Sequence, residues 1–208
     1  MPTFPSTRFD QASSYADEYF DRLAAASRSI DRDAVERAGR LLAEVAMAGK
    51  RIYCCGNGGS AAISNHLVCD YVKGIRTGST LRPQVVSLSS NLETITAIGN
   101  DIGYEKIFRF QLESLAHPGD LLIVISSSGA SQNIVEALEW AAENEVASIA
   151  MTGFSGGKAR EMADISLHVD ADNYGIIEDL HQSLMHLLAQ FTRQMHLSDE
   201  SRLPEIRF

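Results

Sequence analysis

The stretch Arg51-Ile52-Tyr53-Cys54-Cys55-Gly56-Asn57-Gly58-Gly59-Ser60 decides the fold. An apolar run ends there in a glycine-rich turn, and a helical pattern opens at Ala61. A strand that feeds a helix through such a turn gathers unpaired backbone N–H groups around one point. Those donors and the positive end of the helix dipole attract an anion, most often a phosphate. The glycines let the backbone come close, and Asn57 and Ser60 add side-chain donors. One Gly-rich turn is also ordinary packing chemistry, so a second one matters. Leu121-Leu122-Ile123-Val124-Ile125 runs into Ser126-Ser127-Ser128-Gly129-Ala130-Ser131, and another helix follows. Two oxygen-rich turns at the carboxyl ends of two strands point to one phosphorylated ligand.

Working outward, strands at 51–55, 84–89, 120–126, 146–152 and 165–169 alternate with helices at 61–73, 104–115, 132–144 and 158–163. Continuous apolar strands require a sheet covered on both faces, and the β-α alternation implies parallel pairing. Two helical patterns precede them, at 7–29 and 31–48, the second with Asp31 as its N-cap. A long last helix runs over 175–195. The expected architecture is a three-layer α/β/α sandwich with a parallel five-stranded, flavodoxin-like sheet and an N-terminal helical hairpin. It forms one domain over 1–208, with helices to residue 49, an α/β core over 50–197 and a loosely held tail over 198–208. Ligands of open parallel sheets bind beyond the carboxyl ends of the strands, where both turns and Asn100-Asp101 lie.

Composition narrows the function classes. A net charge of −9 with no basic cluster argues against a nucleic-acid surface. No apolar run reaches the ~20 residues of a membrane helix, and Met1-Pro2-Thr3-Phe4-Pro5-Ser6 has no signal-peptide pattern. The three cysteines, Cys54, Cys55 and Cys69, form neither a disulfide framework nor a zinc-finger spacing, which fits a reducing cytoplasm.

Two helices carry candidate chemistry. His66 and Asp70 lie four apart on the helix that the Gly-rich turn opens, so they share one face. On the last helix Glu178, Gln182 and His186 form another i, i+4 ladder, with His181 about a turn from Glu178. A histidine–carboxylate pair on each of two helices can build a divalent metal site and supply acid and base groups. Either pair alone is more often a surface or capping contact. The buried face expected from Leu180, Leu184, Leu187 and Leu188 sets this ladder apart from plain solvent exposure. Trp140 reads as core, and Gly156-Gly157-Lys158, which lacks P-loop spacing, reads as a turn entering a short helix.

These motifs in this order resemble the sugar isomerase (SIS) domains, and within them the phosphoheptose isomerases, over nearly the whole chain. The resemblance implies interconversion of sedoheptulose 7-phosphate and D-glycero-D-manno-heptose 7-phosphate, a zinc ion, no nucleotide cofactor, and a homotetramer with active sites at subunit contacts. By the resemblance Asn57, Gly58, Gly59 and Ser60 form the first sugar-phosphate loop, and Ser126, Ser127, Ser128 and Ser131 grip the phosphate. Asn100 and Asp101 contact substrate. His66, Asp70, Glu178 and His186 are metal ligands, with His186 also an acid/base group and Asp70 or Glu178 the catalytic base. Three positions depart from the pattern: Asp70 replaces a glutamate, Glu178 a glutamine, and Ala130 an asparagine. Shortening a base by one methylene withdraws it by ~1.5 Å, a displacement that can cost about a hundredfold in rate. A non-catalytic scaffold that binds a phosphosugar or a protein, and an isomerase of another long-chain sugar phosphate, are the alternative readings.

Overall fold

The computed structural model describes residues 3–206. Met1, Pro2, Arg207 and Phe208, the ends of the N-terminal segment and of the expected tail, lie outside the described residues. Five parallel strands form one sheet in the order β2-β1-β3-β4-β5: β1 Arg51–Gly56, β2 Gln84–Ser87, β3 Leu121–Ser126, β4 Ala147–Thr152 and β5 Ile165–His168. This is the flavodoxin-like order, whose switch point falls between the first and third strands. The helices are α1 Ala12–Ser29, α2 Arg32–Met47, α3 Gly59–Cys69, α4 Leu92–Asp101, α5 Arg109–Leu115, α6 Gln132–Glu143, α7 Gly157–Met162 and α8 Tyr174–Met195. None of the described helices is long and apolar enough to cross a membrane.

The continuous apolar run of β3 divides by the strand period. Leu121, Ile123 and Ile125 face one core, with Ile63 and Leu67 of α3, Leu42 of α2 and Leu184 and Leu188 of α8. Leu122 and Val124 face the other, with Ile98 of α4, Leu112 of α5 and Ile134, Leu138 and Trp140 of α6. Alternate side chains thus cover both faces, as a doubly wound sheet demands. The expected helical hairpin, α1 and α2, packs against α8. Asp31 caps α2, its side chain accepting the Asp33 N–H at 2.9 Å.

Several local expectations change, among them the helix expected over 104–115, which divides into a 3-10 turn, Tyr104–Lys106, and α5. The first helix starts at Ala12, not residue 7. The helix expected over 61–73 ends its α-helical part at Cys69 and continues as a π-helical turn, Asp70–Ile75. Residues 92–101, left without an element by the sequence, form α4, capped by Asn91 accepting from Thr94 N–H. At the expected tail, the Ser198 N–H donates to the Gly78 carbonyl at 3.0 Å, and residues 200–205 form a 3-10 turn.

One polar residue sits inside the packing. His181 of α8 is fully buried, and neither ring nitrogen is hydrogen-bonded among the described residues. Burial pushes its pKa down to about 4, opposed by the nearby Thr152 backbone and assisted by His168. The folded chain therefore holds it neutral, while the unfolded chain binds a proton there below its ordinary value of 6.5. The contribution is fully present above that value and is lost as pH falls toward 4. Between pH 7 and 5 this amounts to about 2 kcal/mol. Urea unfolding should show a pH-dependent loss of that order in the wild type that His181→Leu lacks; parallel losses in the two proteins would contradict it.

Candidate active site

The switch point opens a crevice because α3 leaves β1 toward one core and α6 leaves β3 toward the other. A cavity of about 150 Å³ lies there. Asn57 and Ser60 line it from the first turn, Ser126, Ser127, Ser128 and Ser131 from the second, and Tyr174 and Glu178 from α8. Both expected phosphate loops therefore face one space. Ser127 Oγ is buried without a partner among the described residues, a hydroxyl suited to a ligand oxygen. Ser126 and Ser128 turn inward on their own loop, accepting the Gly129 and Ala130 N–H groups at 3.1 and 3.3 Å.

Glycines set two close approaches. Gly59 opens α3, and a Cβ there would strike the carboxylate of Glu178. Its absence lets an α8 carboxylate reach the positive end of α3. Gly129 holds φ at +62°, and its missing Cβ makes room for the Gly156 carbonyl. The Gly156-Gly157 turn, entering a short helix as the sequence reads, thus braces the serine loop from the next strand. The Ala159 N–H donates to the Gly129 carbonyl at 3.0 Å.

Further along α8 lies a second group. His66, Asp70 and His186 each offer one ligand atom, all within 4.8 Å of one another. Asp70 reaches both rings, with Oδ1 and Oδ2 each 3.4 Å from the Nε2 atoms of His66 and His186 respectively. The Gln182 amide donates to His66 Nδ1 and to His186 Nε2, both at 3.0 Å. Two imidazoles and a carboxylate converging in this way are a donor set fit for a divalent metal. Glu178, expected with these ligands, lies instead in the serine-lined cavity two turns earlier on α8.

Asn100 and Asp101 close α4 and pair with each other, the Asn100 amide donating to Asp101 at 2.7 Å. They are outside the lining of the cavity among the described residues, but Tyr104, just beyond them, donates to Asn57 Oδ1 at 3.0 Å. Tyr104, Asn133 and Tyr174 are site residues that the sequence reading missed. Asn133 left a trace, as the polar residue on the buried face that Ile134, Ala137 and Leu138 continue.

The SIS domain model matches residues 14–153, a span that includes both loops. A phosphoheptose isomerase of Akkermansia muciniphila is 38% identical over 162 residues, 77% of this chain and 84% of that protein. A probable phosphoheptose isomerase of Thermoplasma volcanium is 37% identical, over 82% of this chain and 87% of its own. The solved phosphoheptose isomerase from Francisella tularensis superimposes with a TM-score of 0.82 at 31% identity, covering 89% of this chain and 97% of that one. The chain belongs to the SIS domain family, in its phosphoheptose isomerase subgroup.

The brace under the serine loop is testable. Gly129→Ala should lower stability by about 2–4 kcal/mol, through strain at positive φ and overlap with the Gly156 carbonyl. Thermal unfolding measures this, and an unshifted midpoint would show that the loop has room for a side chain.

Proposed function

We propose that this chain is an aldose–ketose isomerase that interconverts sedoheptulose 7-phosphate and D-glycero-D-manno-heptose 7-phosphate. One observation carries the reading: α8 joins the serine-lined cavity, through Glu178, to the His66–Asp70–His186 group, through Gln182 and His186. A ligand whose phosphate sits in the cavity has acid, base and metal-ligating groups within reach on α8 and on α3 with its π-helical continuation.

In this mechanism Ser126, Ser127, Ser128 and Ser131, with backbone N–H groups of residues 57–60, hold the phosphate. A carboxylate, Asp70 or Glu178, takes the proton from C1 of the ketose to leave an enediol, then returns it to C2. His186 carries the hydroxyl proton from O1 to O2, so the two transfers balance. Asn100 and Asp101 border the sugar. A divalent cation, zinc by family resemblance, would be held by His66, Asp70 and His186, and would supply Lewis-acid polarisation of the carbonyl when bound.

The assembly we propose is a homotetramer whose contacts complete the site. A groove of about 690 Å³ along the outer face of α8 is lined by Leu187, Phe191 and Leu203 together with His186. A neighbouring subunit seated on this groove would border the catalytic histidine. Leu187 is 48% exposed, so Leu187→Glu should reduce the mass seen by light scattering while leaving the circular dichroism of the fold intact. An unchanged mass would remove the groove from the interface.

The chemistry is tested by kinetics on sedoheptulose 7-phosphate. Asp70→Asn and Glu178→Gln are isosteric, and the variant that removes the base should lose about a hundredfold or more in kcat. Retention of full activity in both would defeat the assignment.

A further inference from the structure

Asn133, which none of the roles above uses, fixes what Asn57 can offer a ligand. Its side chain is 2% exposed in the first turn of α6, two residues beyond Ser131. The two carboxamides are paired head to tail: Asn57 Nδ2 donates to Asn133 Oδ1, and Asn133 Nδ2 donates to Asn57 Oδ1, each at 3.0 Å. Tyr104 donates its hydroxyl to the same Asn57 oxygen, also at 3.0 Å. A carboxamide has two N–H donors and two acceptor lone pairs. Both acceptor positions of Asn57 are thus engaged, and one donor is spent on Asn133. A single N–H remains, on a residue that lines the serine cavity. Turning either amide end for end on its own would set N–H against N–H and oxygen against oxygen, and turning both together would deny the Tyr104 hydroxyl its acceptor on Asn57.

We propose that Asn133 and Tyr104 are positioning residues that lock Asn57 as a hydrogen-bond donor, selecting a ligand with an anionic oxygen, such as a phosphate, at that point. This rests on the phosphosugar reading of the cavity. The pair also ties the turn after β1 to the helix after β3, so the two phosphate loops are held in one relation across the switch point. An amide buried this deeply stabilises the fold only while matched, and an apolar residue would serve packing alone at lower cost.

The test is a double-mutant cycle read as binding of inorganic phosphate by 31P titration, alongside KM and kcat for sedoheptulose 7-phosphate. Asn133→Leu should weaken phosphate binding and raise KM about tenfold, with kcat within about twofold, the size expected for one lost hydrogen bond. Tyr104→Phe, at a position 58% exposed and safe for folding, should give a smaller change of about threefold in the same direction. In an Asn57→Ala background both substitutions should have no further effect, because they act through Asn57. Additive effects in that background, or unchanged phosphate affinity in both single variants, would overturn the proposal. A wild type that binds phosphate with this coupling yet does not isomerise the sugar would overturn the proposed function and leave the donor lock standing.

Discussion

Neighbouring strands that send their helices to opposite faces of the sheet are the constraint on which this molecule depends. β1 and β3 are hydrogen-bonded along their length, yet α3 packs into one core and α6 into the other. No helix can then cover the gap between the two strand ends. The backbone donors released there face a space that packing leaves open, and the glycines and serines of both turns exploit it. Loop chemistry follows from topology here: the same two sequences placed after strands whose helices share a face would be buried against each other.

The last helix converts that crevice into a site with two ends. Asn173 caps α8, its side chain accepting the Ile176 N–H at 3.1 Å, and so sets where the helix begins. One apolar face, with Ile177, Leu184 and Leu188, is fixed in the core. The polar positions that remain are therefore aimed by packing and not by their own contacts. Glu178 reaches the first turn because Gly59 is a glycine. Gln182 and His186 meet the helix that this turn opens, where His66 and Asp70 wait. A buried neutral histidine, His181, shares the helix without entering either end, so a structural and a chemical histidine lie only five residues apart.

Much of this was legible in the residues. The strands of the sheet, both loops and the separate His66–Asp70 and Glu178–Gln182–His186 ladders follow from apolar runs, turn chemistry and i, i+4 spacing, which are local signals; that the two ladders share a site was implied by the family resemblance alone. What escaped was set by tertiary context. α4 carries two threonines and a glycine and buries chiefly Ile98, so its helical period is weak in sequence. The π-helical turn at Asp70 differs from an α-helix by one hydrogen-bond step, which residue type does not encode. Asn133 and Tyr104 come to Asn57 only through the pairing of β1 with β3 and the path of the α4 segment. The place of Glu178 in the cavity, apart from the histidine group, likewise depends on how α8 crosses the sheet.

The rise of α8 from Glu178 through Gln182 to His186 also spaces the two ends of the site. Eight residues of helix separate the cavity end from the histidine end, a rise of about 12 Å along a rigid axis. The spacing of the Glu178 and His186 Cα atoms is then a property of helix geometry, and only side-chain rotation adjusts the gap between their functional groups.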